Sequence, residues 1–168
     1  KGQEEIVDQI LNGRDVLAIM PTGAGKSLCY QVPALLMSGI TIVVSPLISL
    51  MIDQVKALNE AGVHAAYINS ALTERQITKA LELAAAGRYK MIYVAPERLL
   101  TPRFLDFACH AELSMVTIDE AHCISQWGQD FRPSYVKITE FIRQLPRRPV
   151  VSAFTATATQ KVREDILE

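Results

Sequence analysis

The strongest constraint on folding is a regular alternation of short, branched apolar runs with longer amphipathic stretches. The segments Asp15–Met20, Thr41–Ser45, Ala65–Ile68, Met91–Ala95, Met115–Ile118 and Val150–Phe154 are rich in Val and Ile and lack polar alternation. Such runs form strands covered on both faces, because an exposed face would carry polar residues at every second position. Between them, Ser27–Met37, Leu50–Ala61, Thr73–Ala86, Phe104–Cys109, Tyr135–Gln144 and Gln160–Leu167 read as helices. The third of these is the best marked. Thr73 with Gln76 matches a capping box, Gly87 supplies a stop, and Ile77, Ala80, Leu81 and Ala84 form one apolar face. The alternation predicts an α/β fold: a mainly parallel central sheet with right-handed crossovers and helices on both faces.

The 168 residues suit a single domain, 1–168, with a sizeable core; 49% are hydrophobic and 21% charged. No internal repeat, low-complexity tract or linker interrupts them. The net charge of −1 leaves nucleic-acid binding to a local patch or to stacking. Arg143-Gln-Leu-Pro-Arg-Arg148 is the one basic cluster, and it reads as a solvated turn before the last strand, with a binding patch as the alternative. Cys29, Cys109 and Cys123 lack the paired spacing of a zinc site, although Cys123 adjoins His122. Free thiols in a reducing compartment, and no zinc, are expected. The start, Lys1-Gly2-Gln3-Glu4-Glu5, is polar, and no apolar run approaches the ~18–20 residues that span a bilayer. A soluble, intracellular protein without membrane contact is therefore expected. The first residue is not methionine, which predicts a fragment or a processed product.

Pro21-Thr22-Gly23-Ala24-Gly25-Lys26-Ser27 stands between a predicted strand and a predicted helix, the context of a phosphate-binding loop. Gly23 and Gly25 permit close backbone approach, so the N–H groups from Thr22 to Ser27, Ala24 among them, can point at phosphate oxygens. The helix start adds its positive dipole end. Lys26 can reach the β/γ-phosphates and the Ser27 hydroxyl can ligate Mg²⁺. The general pattern G-x-x-x-x-G-K-[ST] begins with glycine, and Met20 stands there instead. A glycine-containing turn with an incidental lysine is the competing reading.

Far downstream, the apolar run Met115-Val-Thr-Ile118 delivers Asp119-Glu120-Ala121-His122. Asp119 can bind Mg²⁺, directly or through water, and Glu120 can deprotonate the water that attacks the γ-phosphorus. Exposed acids at a helix start would be the plain alternative. Directly after them comes Cys123-Ile-Ser-Gln-Trp-Gly-Gln-Asp-Phe-Arg-Pro133, holding the chain's only tryptophan. Base–aromatic stacking is worth ~1–3 kcal/mol per base whatever the sequence, so Trp127 suits a grip on a polymer. It could also anchor a core.

With these residues the chain resembles the first motor lobe of superfamily 2 helicases, and the segment 123–133 resembles the aromatic-rich loop of RecQ-family DNA helicases. Gln3 resembles the last residue of that family's Phe-Arg-x-Gly-Gln adenine motif. Ser45-Pro-Leu-Ile-Ser-Leu-Met51 with Asp53-Gln54 resembles motif Ia. Asn69-Ser70 and Ala95-Pro-Glu-Arg-Leu-Leu100 resemble two further DNA-contact elements, and Thr155-Ala-Thr-Ala158 resembles motif III.

The resemblance implies a RecA-like, DEAH-box P-loop domain, with motif III on a strand between those of the P-loop and the acids. It implies an ATP-dependent helicase of 3′-to-5′ polarity, acting in DNA repair and recombination, with ATP and Mg²⁺. Gln3 would recognise adenine, and His122, Thr155 and Thr157 would relay the phosphate state. Gln126, Trp127, Phe131 and Arg132 would sense single-stranded DNA. Ser45, Asn69 and Ser70 would contact DNA phosphates, though such groups also cap helices. Single-stranded and partly duplex DNA are the implied partners, in a bacterial cytoplasm or nucleoid rather than a nucleus. A second motor lobe is another implied partner. That lobe, with its arginine finger, the zinc-binding region and the winged helix have no counterpart in these 168 residues, so the chain alone is expected not to unwind DNA. Two other readings stay open: an RNA helicase with a related core, and a nucleotide-gated binding module that is not a motor.

Overall fold

The computed structural model describes residues 2–20, 26–121 and 135–155, with the backbone alone at residues 2, 3 and 26. In chain order the elements are α1 (Gly2–Leu11), β1 (Val16–Ile19), α2 (Lys26–Leu36), β2 (Ile40–Val44), α3 (Ile48–Glu60), β3 (Ala65–Ile68) and α4 (Glu74–Ala85). There follow β4 (Met91–Val94), a 3₁₀ turn (Pro96–Arg98), α5 (Pro102–His110), β5 (Leu113–Ile118), α6 (Val136–Gln144) and β6 (Val150–Thr155). The six strands form one parallel sheet in the order β1-β6-β5-β2-β4-β3.

That order explains the two-sided core. The chain runs outward from β1 through β2 to β3, then returns through β4 and β5 to β6. Right-handed crossovers put the helices of the outward leg on one face and those of the return leg on the other. Alternate strand residues feed the two faces. Val43, Met91, Tyr93, Met115 and Phe154 pack with Ile10, Tyr30, Met51 and Val55 from α1, α2 and α3. Ile42, Val44, Ile92, Val94, Val116 and Ile118 pack with Ile77, Leu81, Phe104, Phe107, Ile138 and Phe141 from α4, α5 and α6. Phe104 touches both Phe107 and Phe141, with ring centroids 5.8 Å apart in each pair, which ties α5 to α6.

The predicted elements are present with ends displaced by one or two residues, and the capping box at Thr73 and Gln76 is formed. The predicted helix Gln160–Leu167 lies outside the described residues. The first helix, α1, was not foreseen. Ile6 and Ile10, one turn apart, lie against the core face of α2 and α3, and Glu4 and Glu5 in the first turn suit its dipole.

Between α2 and β2, Gly39 has φ of 85°, and a Cβ there would stand 2.6 Å from the carbonyl oxygen of Glu112. The same oxygen accepts the Ile40 N–H at 2.8 Å, so only glycine lets the turn close onto the start of β5. The three arginines of the 143–148 segment are exposed, Arg143 in the last turn of α6 and the other two just before β6, while Leu145 between them is buried. Arg148 is engaged with Asp15, donating at 3.1 and 2.5 Å, while the Val151 N–H donates to the same carboxylate at 3.0 Å. Partial burial pushes the Asp15 carboxyl up, but the bonds from Arg148 and Val151 outweigh it and hold it below the usual carboxylate range. The turn holding Arg147 and Arg148 is thereby tied to the amino end of β1. Among the described residues, no helix is long and apolar enough to cross a membrane.

Candidate active site

Parallel strands all end at one edge, and the residues singled out by sequence stand there. Met20 follows β1 and donates its N–H to Thr155, the last residue of β6, at 2.9 Å. Asp119 follows β5 and donates to the Val44 carbonyl at 2.9 Å, while Ser45 follows β2 and donates to Val94 at 3.2 Å. Ala95 follows β4 and donates to Ile68 at 3.0 Å. Asn69 follows β3. Open α/β sheets bind ligands outside the carboxyl ends of their strands, and all these positions stand at that edge. As expected for motif III, β6 lies between β1 and β5. The Thr155 side chain is buried there.

Asp119 is only 2% exposed, and its turn is held from two directions. Its carboxylate oxygen Oδ1 accepts the Glu120 N–H at 3.0 Å, and its carbonyl accepts the buried Tyr135 hydroxyl at 2.7 Å. Glu120 has φ of 55°, the one non-glycine residue with positive φ among those described. That conformation costs about 1–2 kcal/mol in an L-residue. Backbone strain of this kind persists only where the surroundings over-determine it, and it clusters at functional sites. Here it turns Glu120 out of the strand line while Asp119 stays buried.

Across the sheet edge, α2 begins at Lys26, immediately after the glycine-containing segment. The Ser27 hydroxyl accepts from Gln54 Nε2 at 3.1 Å, and Gln54 Oε1 accepts the Tyr30 hydroxyl at 2.9 Å. Tyr30 lies 3.4 Å from the Tyr93 hydroxyl, which accepts from Gln31 Nε2 at 3.0 Å. Burial pushes the Tyr30 hydroxyl well above its ordinary pKa. Tyr93 and the negative charge of Asp119 push the same way, against a hydrogen bond with Ser27. Burial also raises Tyr93; the bonds with Tyr30 and Gln31 oppose it and the Asp119 charge adds to it. Both phenols therefore stay protonated, and both feel Asp119. The Ser27 cluster and the acidic turn share one electrostatic environment.

The other predicted residues divide into two groups. Ser45 is 2% exposed and its hydroxyl accepts the Leu47 N–H at 3.4 Å. Asn69 is fully buried: its Oδ1 accepts the Ala71 N–H at 2.8 Å, and Nδ2 points to the Met51 sulfur at 3.6 Å. These two side chains hold their own loops, whereas Ser70 is exposed. Thr22, Gly23, Ala24, Gly25, His122, Gln126, Trp127, Phe131, Arg132 and Thr157 lie outside the described residues, as do the side chains of Gln3 and Lys26. Sequence reasoning missed Tyr30, Tyr93 and Tyr135. In sequence Tyr135 reads only as the first residue of a predicted helix. The first two sit in apolar runs and carried no functional sign.

Among the described residues, no three His, Cys, Asp or Glu side chains converge on one point. Mg²⁺ is commonly held by one or two protein oxygens together with substrate phosphates, and the Ser27 hydroxyl and buried Asp119 carboxylate fit that donor set. Cys29 is buried with Sγ 3.8 Å from the Met20 sulfur, and Cys109 is partly exposed; neither is in a disulfide.

The DEAD/DEAH box helicase family profile matches residues 1–166. The chain belongs to the DEAD/DEAH box helicase family. Within that family it is 52% identical to the ATP-dependent DNA helicase RecQ of Bacillus subtilis, over 98% of this chain and 28% of that protein. It is 49% identical to RecQ of Pasteurella multocida, over 99% of this chain and 26% of the relative. The ATP-dependent DNA helicase Q-like 2 of Arabidopsis thaliana is 48% identical, over 99% and 24%. The chain thus spans about a quarter of the length of these helicase relatives, over the region of their first motor lobe. Solved structures agree on the fold. The Pyrococcus furiosus Hef helicase domain superposes with a TM-score of 0.74 at 21% identity, covering 99% of this chain and 34% of that one. The DUF1998 helicase MrfA bound to DNA gives 0.79 at 18% identity, covering 98% and 25%. The expected RecA-like helicase fold is therefore the one found.

Proposed function

We propose that this chain is the ATP-binding lobe of a RecQ-type, ATP-dependent DNA helicase, with 1–168 forming one domain. The observation that carries the reading is that buried Asp119, directly after β5, and Ser27, in the first turn of α2 after β1, stand at the same carboxyl edge of one parallel sheet. The Ser27 hydroxyl is held there by Gln54.

In this reading the N–H groups from Thr22 to Ser27 cradle the ATP phosphates, Lys26 contacts the β/γ-phosphates, and Gln3 recognises the adenine edge. Ser27 and Asp119 would hold Mg²⁺. That ion, when bound, supplies charge neutralisation on the phosphates. Glu120 takes the proton of a water whose oxygen bonds to the γ-phosphorus as the bond to the β-phosphate oxygen breaks, releasing ADP and phosphate. Burial of Asp119 and its anchored carbonyl keep Glu120 in one orientation through the cycle. His122, Thr155 and Thr157 pass the phosphate state towards the DNA side. There Gln126, Trp127, Phe131 and Arg132 sense single strands, and Ser70, with Ser45 and Asn69 shaping the loops, meets DNA phosphates. The 3′-to-5′ polarity, the repair and recombination role, the bacterial cytoplasmic setting and the partnership with a second motor lobe follow from the RecQ likeness.

The experiment is Trp127→Ala in the full-length protein. Loss of one base–aromatic stack, worth ~1–3 kcal/mol, should raise the single-stranded DNA concentration for half-maximal ATPase stimulation by about 5–150-fold. ATP affinity should stay near wild type. Collapse of ATP affinity instead would make Trp127 a structural anchor and remove the coupling role.

A further inference from the structure

The reading of Ser27 as the metal-side hydroxyl of the nucleotide site has a consequence for the residues behind it. Three contacts in the cluster have a defined direction. Gln31 Nε2 donates to the Tyr93 hydroxyl, Tyr30 donates to Gln54 Oε1, and Gln54 Nε2 donates to Ser27. Since the Tyr30 proton goes to Gln54, the 3.4 Å contact between the phenols is made with Tyr93 as donor. The result is one file of donors, Gln31 to Tyr93 to Tyr30 to Gln54 to Ser27, and both phenols are buried. Gln54, the member next to Ser27, must accept at one end and donate at the other. A carboxamide does so; an ionised carboxylate cannot donate and an aliphatic side chain does neither. Tyr30 fixes which end of the amide faces Ser27.

A serine hydroxyl has one proton and two lone pairs. With one lone pair accepting from Gln54, the other remains for a cation and its direction is set. Gln54 belongs to α3, which starts just after the Ser45 turn and whose Met51 sulfur receives the buried Asn69 amide. The same helix therefore touches two strand-end loops and the Ser27 hydroxyl.

We infer that Gln54 is a positioning residue for the metal–nucleotide complex: by donating to Ser27 it aims that hydroxyl at the cation, and the Gln31–Tyr93–Tyr30 file holds its amide in the required orientation. Partners behind a metal ligand typically account for 10–100-fold in metal affinity.

The test uses the full-length protein and a fluorescent ADP analogue, titrated in EDTA and across a Mg²⁺ series, for wild type, Ser27→Ala, Gln54→Leu and Tyr30→Phe. Gln54→Leu should raise the Mg²⁺ concentration at half-maximal binding enhancement about 10–100-fold, with affinity in EDTA unchanged. Tyr30→Phe, which removes only the hydroxyl that orients the amide, should shift the midpoint the same way by less. It carries the test alone if Gln54→Leu does not fold. An unchanged Mg²⁺ midpoint, or an equal loss of affinity with and without Mg²⁺, overturns the inference, the second result marking a purely structural role. If Ser27→Ala weakens Mg²⁺-dependent binding while Gln54→Leu and Tyr30→Phe do not, the inference alone falls. If Ser27→Ala has no effect, the reading of Ser27 falls and takes the inference with it.

Discussion

Glu120→Gln in the full-length protein is expected to lower kcat for ATP hydrolysis about 10²–10⁴-fold, the range for a positioned general base, while leaving KM for ATP close to wild type. The substitution is nearly isosteric, and two contacts that shape the turn survive it. The Glu120 N–H still donates to Asp119 Oδ1, and Tyr135 still holds the Asp119 carbonyl. The positive φ is a backbone property that glutamine inherits at similar cost. What is lost is the capacity to accept a proton from water. Steady-state kinetics separates this from a binding defect, because an interaction made only in the transition state lowers kcat and kcat/KM together. Unwinding should fall in parallel with turnover. DNA handling that survives unchanged would instead favour a nucleotide-gated module over a motor.

Chain 1–168 on its own is expected to hydrolyse ATP about 10³–10⁵-fold more slowly than the full-length protein with single-stranded DNA, and to separate no duplex. The factor is that attributed to an arginine finger in phosphoryl transfer, a group expected from a second lobe. The physical reason is visible in the site. Asp119, Ser27 and the helix start of α2 all stand at the carboxyl edge of one sheet, so a second lobe docked on that edge would face the nucleotide. The relatives are about four times as long, which leaves room for such a lobe. Phosphate release and a fluorescent strand-separation assay, run on both proteins, check the point. Robust DNA-stimulated turnover by the short chain would contradict it.

Much of this architecture was legible because parallel strands buried on both faces leave a strong local mark. Val43, Val44, Ile92 and Val94 announce themselves as unbroken apolar runs, and their burial is complete or nearly so. The acidic pair was equally plain, since carboxylates directly after such a run have few structural uses. The first helix was harder, because only Ile6 and Ile10 mark its buried face. Least legible was the hydroxyl and amide file behind Ser27. Tyr30 and Gln54 are 24 positions apart and Tyr30 and Tyr93 are 63 apart, so no local pattern joins them. In sequence, Tyr30 and Tyr93 read as ordinary core aromatics, and the sheet order alone brings their hydroxyls together. Likewise Ser45 and Asn69 resemble DNA contacts by motif, yet their side chains turn inward to cap loops, a choice made by burial rather than by residue type.

The central claim is that this site drives a DNA motor, and ATP turnover by the full-length protein without nucleic acid, with single-stranded DNA and with RNA of the same length and sequence tests it most directly. The account predicts strong stimulation by DNA and much weaker stimulation by RNA. Equal stimulation by both, or turnover indifferent to DNA, would contradict it.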